Sequence, residues 1–301
     1  MEKIAFVTGG CGYIGTYLIR QLIIREYKVI AFDLRIPERF VCEFGDTVTA
    51  ITGDLQSEEL QELLNTYKPS YVFHLAGLKN RTNNPEEFKT SIDVNYKGTL
   101  NLYSALVGRD WLQHVVTIGT SEEYGSAKPP FSEETREMPN SAYGLSKLSA
   151  TRLALLYHSQ FGLPVTILRP TIAYGPNQGI EMFLPALINT LRANENFKMT
   201  EGNQLRDFIY IDDLVDAIIM SAECDRTIGE ILNIAYGKSE RLSDVALYLA
   251  KLLGKEHLLK LGAIPYRKFE IMNYSVSAVK AKTILDWEPK ISIYDGVKRL
   301  V

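Results

Sequence analysis

The chain has 301 residues, enough for one large domain or two smaller ones. Its formal net charge of −3 and its pI near 5.9 argue against nucleic acid or an anionic membrane surface as the main partner. The three cysteines and four histidines show no metal-ligand spacing, so we expect no bound metal. No apolar run is long enough to span a membrane, and the N-terminal one is too short for a signal peptide, which predicts a cytoplasmic protein.

Short apolar segments alternate with helical patterns through the first half of the chain. The predicted strands are residues 3–9, 28–33, 49–54, 71–77, 114–120 and 165–170. The predicted helices between them are residues 13–25, 57–67, which opens with a serine cap, 85–106 and 141–161. This alternation predicts right-handed βαβ units and an α/β fold, a Rossmann-type doubly wound parallel sheet with helices on both faces.

The second half of the chain is less regular. Residues 206–223 read as a strand or turn followed by a helix, residues 230–235 as a strand, and residues 243–254 as an amphipathic helix. We expect a Rossmann domain over residues 1–175, to which residues from about 206 to 235 return. Residues 176–205 and 236–301 would then form a smaller C-terminal substrate-binding lobe.

A glycine-rich motif, TGGCGYIG, lies between the first strand and the first helix. Gly9, Gly12 and Gly15 allow a sharp turn, close approach to a pyrophosphate and tight packing of helix on strand. The helix N-terminus offers free N–H groups to the phosphates. Asp33 ends the second strand, where it can accept hydrogen bonds from both hydroxyls of an adenosine ribose. These features predict NAD(H) rather than NADP(H), although the positive charge of Arg35 opposes that preference.

Two side chains near the start of the long predicted helix suggest proton transfer. Tyr143 and Lys147 lie four residues apart in the segment SAYGLSK and so share a helix face. A nearby cation favours the phenolate and lowers the pKa of a tyrosine toward neutrality. Tyr143 could then relay a proton while a nicotinamide exchanges a hydride with the substrate, and Lys147 could also hold the cofactor ribose.

The fifth predicted strand ends in a run of polar residues. Ligands of such sheets bind beyond the carboxyl ends of the strands, so this run is expected at the site. Thr120 can hydrogen-bond the same substrate oxygen as Tyr143. If the backbone stays extended, Glu122 and Glu123 point to opposite sides, and only one of them can face the substrate.

These motifs together resemble the extended short-chain dehydrogenase/reductases, the NAD-dependent epimerase/dehydratase family that modifies nucleotide sugars. The similarity is carried, in order along the chain, by TGGCGYIG, HLAGLK, DVNYKGTLNL, the hydroxyl–EYG strand end, YGLSK, LRPTIAYGP and QLRDFIYIDDLVDA. One position departs from the family pattern, because Ile172 stands where an asparagine is common. The expected polar contact of that asparagine with the sugar nucleotide is therefore missing.

The resemblance implies a set of site residues and a homodimer. Thr120, Tyr143 and Lys147 would be catalytic, and Glu122 would be the carboxylate that faces the substrate. The implied cofactor-binding residues are Gly9, Gly12, Tyr13, Ile14, Gly15, Asp33, Asp54, Leu55, Leu75, Ala76, Gly77, Lys79, Asn95, Tyr143 and Lys147. The substrate would contact Thr120, Ser121 and Arg206, whose planar guanidinium suits a diphosphate. The alternative for Arg206 is a salt bridge with Asp207 or Asp212, and the alternative for Asp54 is a helix-capping turn.

The reaction remains open among members of the family. Parts of the motifs resemble 4-epimerases, others 4,6-dehydratases, and others nucleotide 4-keto-6-deoxy-sugar reductases. We expect an NAD-dependent epimerase/dehydratase that exchanges hydride with C4 of a nucleotide hexose through a 4-keto intermediate. The alternatives are an NAD(P)H-dependent keto-sugar reductase and a non-catalytic dinucleotide-binding regulator, which could dispense with Tyr143 and Lys147.

Overall fold

A computed structural model describes residues 2–79, 84–268 and 270–301. The strands are β1 (Ile4–Thr8), β2 (Lys28–Asp33), β3 (Val48–Thr52), β4 (Tyr71–His74), β5 (His114–Ile118), β6 (Val165–Pro170), β7 (Ile172–Tyr174), β8 (Phe197–Lys198), β9 (Leu205–Arg206), β10 (Phe208–Tyr210), β11 (Ile231–Ile234), β12 (Glu240–Arg241) and β13 (Leu259–Lys260). The helices are α1 (Tyr13–Ile24), α2 (Glu38–Phe44), α3 (Glu59–Tyr67), α4 (Pro85–Ser91), α5 (Gly98–Leu106), α6 (Ala142–Phe161), α7 (Phe183–Arg192), α8 (Ile211–Ala222), α9 (Leu242–Leu252), α10 (Val279–Leu285) and α11 (Ile293–Lys298).

Seven strands form one sheet in the order β11-β6-β5-β4-β1-β2-β3. Every neighbouring pair in this sheet is parallel. The strand order reverses between β1 and β4, and in such sheets the ligand crevice lies outside the carboxyl ends of the strands at that reversal. The predicted α/β, Rossmann-type fold class is therefore confirmed.

The sheet is buried on both faces, as its apolar strands require. On one face of the sheet, Leu18 of α1 and Leu214 of α8 pack into an apolar cluster. On the other face, Leu102 of α5 and Leu153 of α6 belong to a second cluster. Burying one such leucine side chain contributes about 1.5–3 kcal/mol. All five residues of β5 are buried, so the polar residues that follow β5 begin where the strand leaves the core.

The helix predicted over residues 85–106 is not a single α-helix. It consists of α4, a π-helical segment at Ile92–Lys97 and α5. A π-helical insertion shifts the direction of the side chains that follow it and often occurs at functional sites. The predicted serine cap of α3 was wrong, because the residue before the helix is Glu58 rather than Ser57. Four helices, α2, α7, α10 and α11, were not predicted.

The remaining strands form three small sheets, β7 with β10, β9 with β12 and β8 with β13. Strand β10 leads directly into α8, which packs on α1 and returns this part of the chain to the main sheet. Arg206 lies on strand β9, which pairs with β12. Within residues 2–79, 84–268 and 270–301, no helix has the length and apolar character needed to cross a membrane.

Candidate active site

The glycine loop joins β1 to α1 in very close contact with the segment that follows β4. Gly9 has a φ of +68°, and a Cβ placed there would lie 2.7 Å from the backbone nitrogen of Ala76. A Cβ on Gly15 would lie 2.4 Å from the carbonyl oxygen of Gly9, so only glycine allows α1 to start here. Gly12 precedes α1 and provides no side-chain cap, which leaves the helix N-terminus able to bind an anion.

The end of β2 forms the wall of a cleft beside this loop. Asp33 accepts a hydrogen bond from the backbone N–H of Cys11 through Oδ2 at 3.0 Å. The cleft has a volume of about 380 Å³ and is lined by Cys11, Gly12, Asp33, Arg35, Pro37 and Arg39. The Asp33 carboxylate suits ribose hydroxyls, whereas the two arginines would attract a 2′-phosphate. The hydrogen bond from Cys11 N–H holds the Asp33 carboxylate against the glycine loop.

We therefore expect the protein to bind NAD(H) at least about tenfold more tightly than NADP(H), a difference of about 1.4 kcal/mol. The reason is that Asp33 accepts from ribose hydroxyls and repels a phosphate. Calorimetry on protein stripped of nucleotide measures both affinities. Asp33→Asn should reduce the ratio of NAD(H) affinity to NADP(H) affinity, because it removes the negative charge that repels a 2′-phosphate. Equal or tighter NADP(H) binding by the unaltered protein would mean that Arg35 and Arg39, rather than Asp33, determine the cofactor preference.

Three predicted cofactor residues have side chains that pack into the protein. Tyr13, Ile14 and Leu75 lie partly buried against the main apolar cluster. The hydroxyl of Tyr13 is close to Gly175, where an added Cβ would lie 2.7 Å away. These residues could therefore line a cofactor mainly through their backbone atoms.

The predicted adenine contacts, Asp54 and Leu55, also have local structural roles. Asp54 Oδ1 accepts from the N–H of Gln56 at 2.9 Å, which is the capping-turn geometry considered as its alternative. Leu55 is buried, and its side chain packs against Gly98. Both residues follow the end of β3.

Asn95 fastens the loop after β4 to the long helix α6. Its side chain accepts from Leu78 N–H at 2.7 Å, donates to Leu78 O at 2.9 Å and donates to Ser146 Oγ at 2.9 Å. Gly77 lies under this bridge, and a Cβ on it would be 3.7 Å from Lys147 Nζ. The π-helical segment thus aims Asn95 at the loop, and the predicted cofactor residues Ala76, Gly77 and Asn95 come together beside Lys147.

The chain turns after Thr120, whose backbone is still extended, and this corrects the extended geometry expected at Glu122 and Glu123. Strand β5 ends at Ile118, and residues 121–123 form a 3₁₀ turn capped by Thr120. Thr120 Oγ1 accepts from Glu122 N–H at 3.2 Å, while Glu123 Oε1 accepts from Thr120 N–H at 2.9 Å. This reciprocal capping box favours the turn over continued extension.

The turn separates the two glutamates, although not by strand alternation as predicted. Glu123 is fully buried, whereas the side chain of Glu122 is 37% exposed. Glu122 Oε1 lies 2.8 Å from Lys79 Nζ, and that ammonium lies 5.4 Å from the centroid of the Tyr143 ring. Both partners are well exposed, so the ion pair is worth less than about 1 kcal/mol and a ligand can displace it.

The start of α6 packs directly on this turn. Ser141 caps the helix by accepting from Gly144 N–H at 3.0 Å. A Cβ on Gly144 would lie 2.7 Å from the carbonyl oxygen of Glu122, so glycine allows the close approach. As a result Tyr143 reaches Thr120 by a hydrogen bond, and Lys147 lies buried one turn further along α6.

The electrostatic environment of this pair differs from the one expected. Burial raises the pKa of the Tyr143 phenol, the charges of Glu122 and Glu123 raise it further, and the hydrogen bond with Thr120 opposes them. Burial lowers the pKa of Lys147 to about 8, against the attraction of Glu123. The pKa of Tyr143 is therefore raised rather than lowered as expected, because burial and the two glutamates disfavour the phenolate.

Arg206 lies on β9. Its guanidinium forms an ion pair with Glu270 and donates to the carbonyl oxygen of Ile271 at 2.7 Å. The alternative pairing with Asp207 or Asp212 was wrong. Asp207 is instead buried and accepts from the N–H groups of residues 236 and 237.

Tyr274 links this arginine to the turn after β5. Its hydroxyl donates to Ser121 Oγ at 3.1 Å, and the centroid of its ring lies 5.9 Å from Arg206 Cζ. Sequence analysis missed Glu270 and Tyr274 as site residues. Their local signal was the segment EIMNYSVS, but only the tertiary fold brings it next to residues 121 and 206. Ser121 and Arg206 are thus joined through a part of the chain remote from both.

A tyrosine beside a dinucleotide cleft, bonded to a threonine and followed by a buried lysine, defines a dinucleotide-dependent oxidoreductase of the short-chain dehydrogenase/reductase type. The chain belongs to the NAD dependent epimerase/dehydratase family, whose sequence profile matches residues 5–235. The predicted family, enzyme class and cofactor NAD are thereby confirmed: the protein is an NAD-dependent enzyme of nucleotide-sugar epimerisation or dehydration.

Individual relatives cover almost the whole chain. A UDP-glucuronate 4-epimerase from Thermodesulfobacterium geofontis is 30% identical over 98% of this chain and 94% of its own. A UDP-N-acetyl-alpha-D-glucosaminuronate decarboxylase from Bacillus cytotoxicus is 29% identical, over 100% of this chain and 97% of its own.

Solved structures extend the similarity to the fold. UDP-glucuronic acid 4-epimerase from Bacillus cereus, crystallised with UDP-glucuronic acid and NAD, is 29% identical with a TM-score of 0.89, covering 98% of this chain and 97% of that one. dTDP-glucose 4,6-dehydratase from Bacillus anthracis, crystallised with NAD, is 26% identical with a TM-score of 0.88, covering 99% of this chain and 94% of that one.

Proposed function

We propose that the protein oxidises C4 of the hexose in a nucleotide sugar and then removes water across C5 and C6, acting as a 4,6-dehydratase. The observation that carries this proposal is the position of Glu122. Its carboxylate lies on the open side of the turn beside Tyr143, whereas Glu123 is buried. Simple epimerisation at C4 requires no such base.

In this proposal Tyr143 removes the proton of the C4 hydroxyl, assisted by Thr120 and Lys147. NAD, when bound, accepts the hydride from C4 and later returns it. Tyr143 takes the hydroxyl proton, and its hydrogen bond with Thr120 opposes the effect of burial on the phenol pKa. Lys147 is the buried cation on the same helix that would stabilise the phenolate. Among the described residues no carboxylate forms an ion pair with Lys147, which leaves its ammonium free for the cofactor ribose.

Glu122 would carry out the elimination. Once C4 is a ketone, the C5–H bond is acidic, and Glu122 can take the C5 proton. The same carboxyl group can then protonate the C6 hydroxyl, so that the C6–O bond breaks and water leaves. Return of the hydride to C6 and of a proton to C5 gives a 4-keto-6-deoxy sugar.

The substrate class is proposed from Arg206 and from the relatives. A planar guanidinium binds a diphosphate through two parallel hydrogen bonds. Arg206 is mostly buried and already paired with Glu270, so a diphosphate would compete with one carboxylate for it. The B. cereus structure contains UDP-glucuronic acid, and this supports a uridine or related nucleotide sugar here.

A second candidate is 4-epimerisation. The ion pair between Lys79 and Glu122 favours it, because it occupies the carboxylate that dehydration requires. The named 4-epimerase among the relatives is consistent with this candidate. The keto-sugar reductase stays a further prediction, and a non-catalytic regulator is disfavoured by the presence of both Tyr143 and Lys147.

Product analysis of the wild-type enzyme distinguishes these reactions. The protein with NAD is incubated in deuterated water with UDP-, dTDP-, GDP- and CDP-hexoses, and the products are examined by NMR and mass spectrometry. Dehydration should give a 4-keto-6-deoxy sugar with deuterium at C5. Epimerisation would give an epimer with no deuterium at C5 and would contradict the dehydratase assignment. A reductase would act only on an added keto sugar with NADH.

We also propose that the protein forms a homodimer through the π-helical segment Ile92–Lys97 and α6. A cleft of about 440 Å³ lies on this face, lined by Ile92, Tyr96, Ser149, Arg152, Leu153 and Leu156. The exposed fraction of Leu156 is 53%, and an apolar patch of this kind is typical of a protein interface. Leu156→Glu should shift the mass measured by light scattering from dimer to monomer. Leu247→Glu, at a 41% exposed leucine on α9, is the control and should not.

The division into two parts also remains our proposal. Residues 1–175 with about 206–235 would form the NAD-binding domain, and residues 176–205 and 236–301 the substrate-binding lobe. Hydrogen exchange should then show residues 206–235 as strongly protected as β1 and β5. A cytoplasmic location and the absence of a nucleic-acid partner stay predictions from composition.

A further inference from the structure

A group of four charged side chains, three of them buried, lies behind the turn that carries Thr120. Arg169 at the end of β6 is fully buried, and its Nε donates to Glu123 Oε2 at 2.8 Å. Its Nη2 donates to Glu137 Oε1 at 2.8 Å. Glu137 in turn accepts from Arg152 of α6 at 2.5 Å, so two arginines and two glutamates compensate each other.

The stability of the fold does not by itself explain this group. Taking charges out of water carries a large desolvation penalty, and replacing a whole buried ion pair with apolar side chains of similar size is often neutral or stabilising. Removing only one partner is damaging, because it leaves an uncompensated charge. The buried pair of Arg169 and Glu123 therefore calls for a role besides stability. The carboxylate oxygen of Glu123 that does not bind Arg169 Nε indicates what that role is.

The second carboxylate oxygen of Glu123 holds the turn. Glu123 Oε1 accepts from the N–H of Thr120 at 2.9 Å. An added Cβ on Gly119 would lie 2.6 Å from this oxygen, so glycine gives the carboxylate its place under the end of β5. Thr120 Oγ1 then accepts from Glu122 N–H at 3.2 Å, and Thr120 also bonds Tyr143.

We propose that Glu123, held by Arg169, is the positioning residue of this site: its hydrogen bond to the Thr120 N–H fixes the turn that presents Thr120 and Glu122 beside Tyr143. This inference rests on the proposed catalytic roles of those three residues. Glu123 itself is fully buried and would contact neither substrate nor cofactor.

Two double variants separate positioning from stability. Glu123→Met with Arg169→Met removes the buried charge pair and the acceptor for the Thr120 N–H. Glu123→Gln with Arg169→Met removes the same two charges but keeps an oxygen that can accept from Thr120. Both variants lack the ion pair, and they differ in a single side chain. Thermal unfolding of each variant, with and without NAD, establishes that both are folded.

The kinetic comparison measures the effect of the acceptor. The glutamine variant should keep kcat within about fivefold of wild type. The methionine variant should lose about 10- to 100-fold in kcat, because a catalytic group displaced by about 1 Å can cost 10²-fold in rate. Both should retain the wild-type Kd for NAD within about twofold. Equal kcat values for the two variants would overturn the proposal.

A measurement that needs no substrate keeps this inference separate from the proposed function. Hydrogen exchange of the segment covering residues 119–124 should be slow in the glutamine variant and fast in the methionine variant. Equal exchange would overturn the positioning role even if the enzyme is a dehydratase. Conversely, if the wild-type protein converts no sugar nucleotide, the proposed function fails, and the exchange rates still decide whether Glu123 fixes the turn.

Discussion

Tyr143→Phe is expected to bind NAD as tightly as the wild-type protein and to lose about 10²- to 10⁴-fold in turnover. The phenyl ring keeps its place at the start of α6, because Ser141 still caps the helix and Gly144 still packs on the turn. Only the hydroxyl that bonds Thr120 is removed. Single-turnover kinetics with the substrate found by product analysis measure the loss, and calorimetry measures NAD binding.

Two comparisons sharpen this prediction. Tyr103→Phe removes another buried hydroxyl, one that bonds Thr117 at 2.7 Å away from the proposed catalytic residues, and should leave kcat within a few-fold of wild type. Lys147→Ala should weaken both turnover and NAD binding, because the buried ammonium is assigned to both. Near-normal activity of Tyr143→Phe would show that the proton travels by another route.

Glu122→Gln is expected to separate oxidation from elimination. Thr120, Tyr143 and Lys147 remain, so C4 can still be oxidised, but the amide cannot take the C5 proton. NADH should accumulate in a single turnover, and formation of the 6-deoxy product should slow by about 10²- to 10⁴-fold, the usual effect of losing a general base. Absorbance of NADH and mass spectrometry of the sugar follow the two steps independently.

The outcome for Glu122→Gln depends on the reaction. A 4-epimerase should turn over within a few-fold of wild type, because rotation of a keto sugar needs no base. That result would contradict the proposed dehydration while leaving the proposed catalytic trio intact. Glu134→Gln, at an exposed glutamate after β5, is the matched control for loss of one carboxylate and should change neither step.

Local sequence patterns predicted the main sheet well, and they correctly placed Tyr143 and Lys147 on one capped helix. The strands are apolar and bounded by glycine or polar residues, and the motif around Tyr143 opens a capped helix, so each signal lies within a few neighbouring residues. The turn at residues 121–123 was missed, although Thr120 and Glu123 have the spacing of a capping box. The preceding β-branched run favoured continued extension and obscured that signal.

The contacts that sequence analysis missed join distant parts of the chain. Lys79 pairs with Glu122, Glu270 with Arg206, and Tyr274 with Ser121. Periodicity and capping rules describe neighbours along a helix or strand, and they carry no information about which loops meet at the edge of the sheet. The same limit applies to the pKa of Tyr143, whose shift depends on burial that only the tertiary fold creates.

Asp33 and Arg206 share no bonding partner, and this has a consequence for how this enzyme can diversify. Asp33 is bonded to the glycine loop, whereas the ion-pair partner of Arg206 comes from the C-terminal part of the chain. Substitutions at sites that share no partners usually have additive effects. Substitutions near Arg206 could therefore change which sugar nucleotide the enzyme accepts during evolution, while the cofactor preference set at Asp33 stays the same.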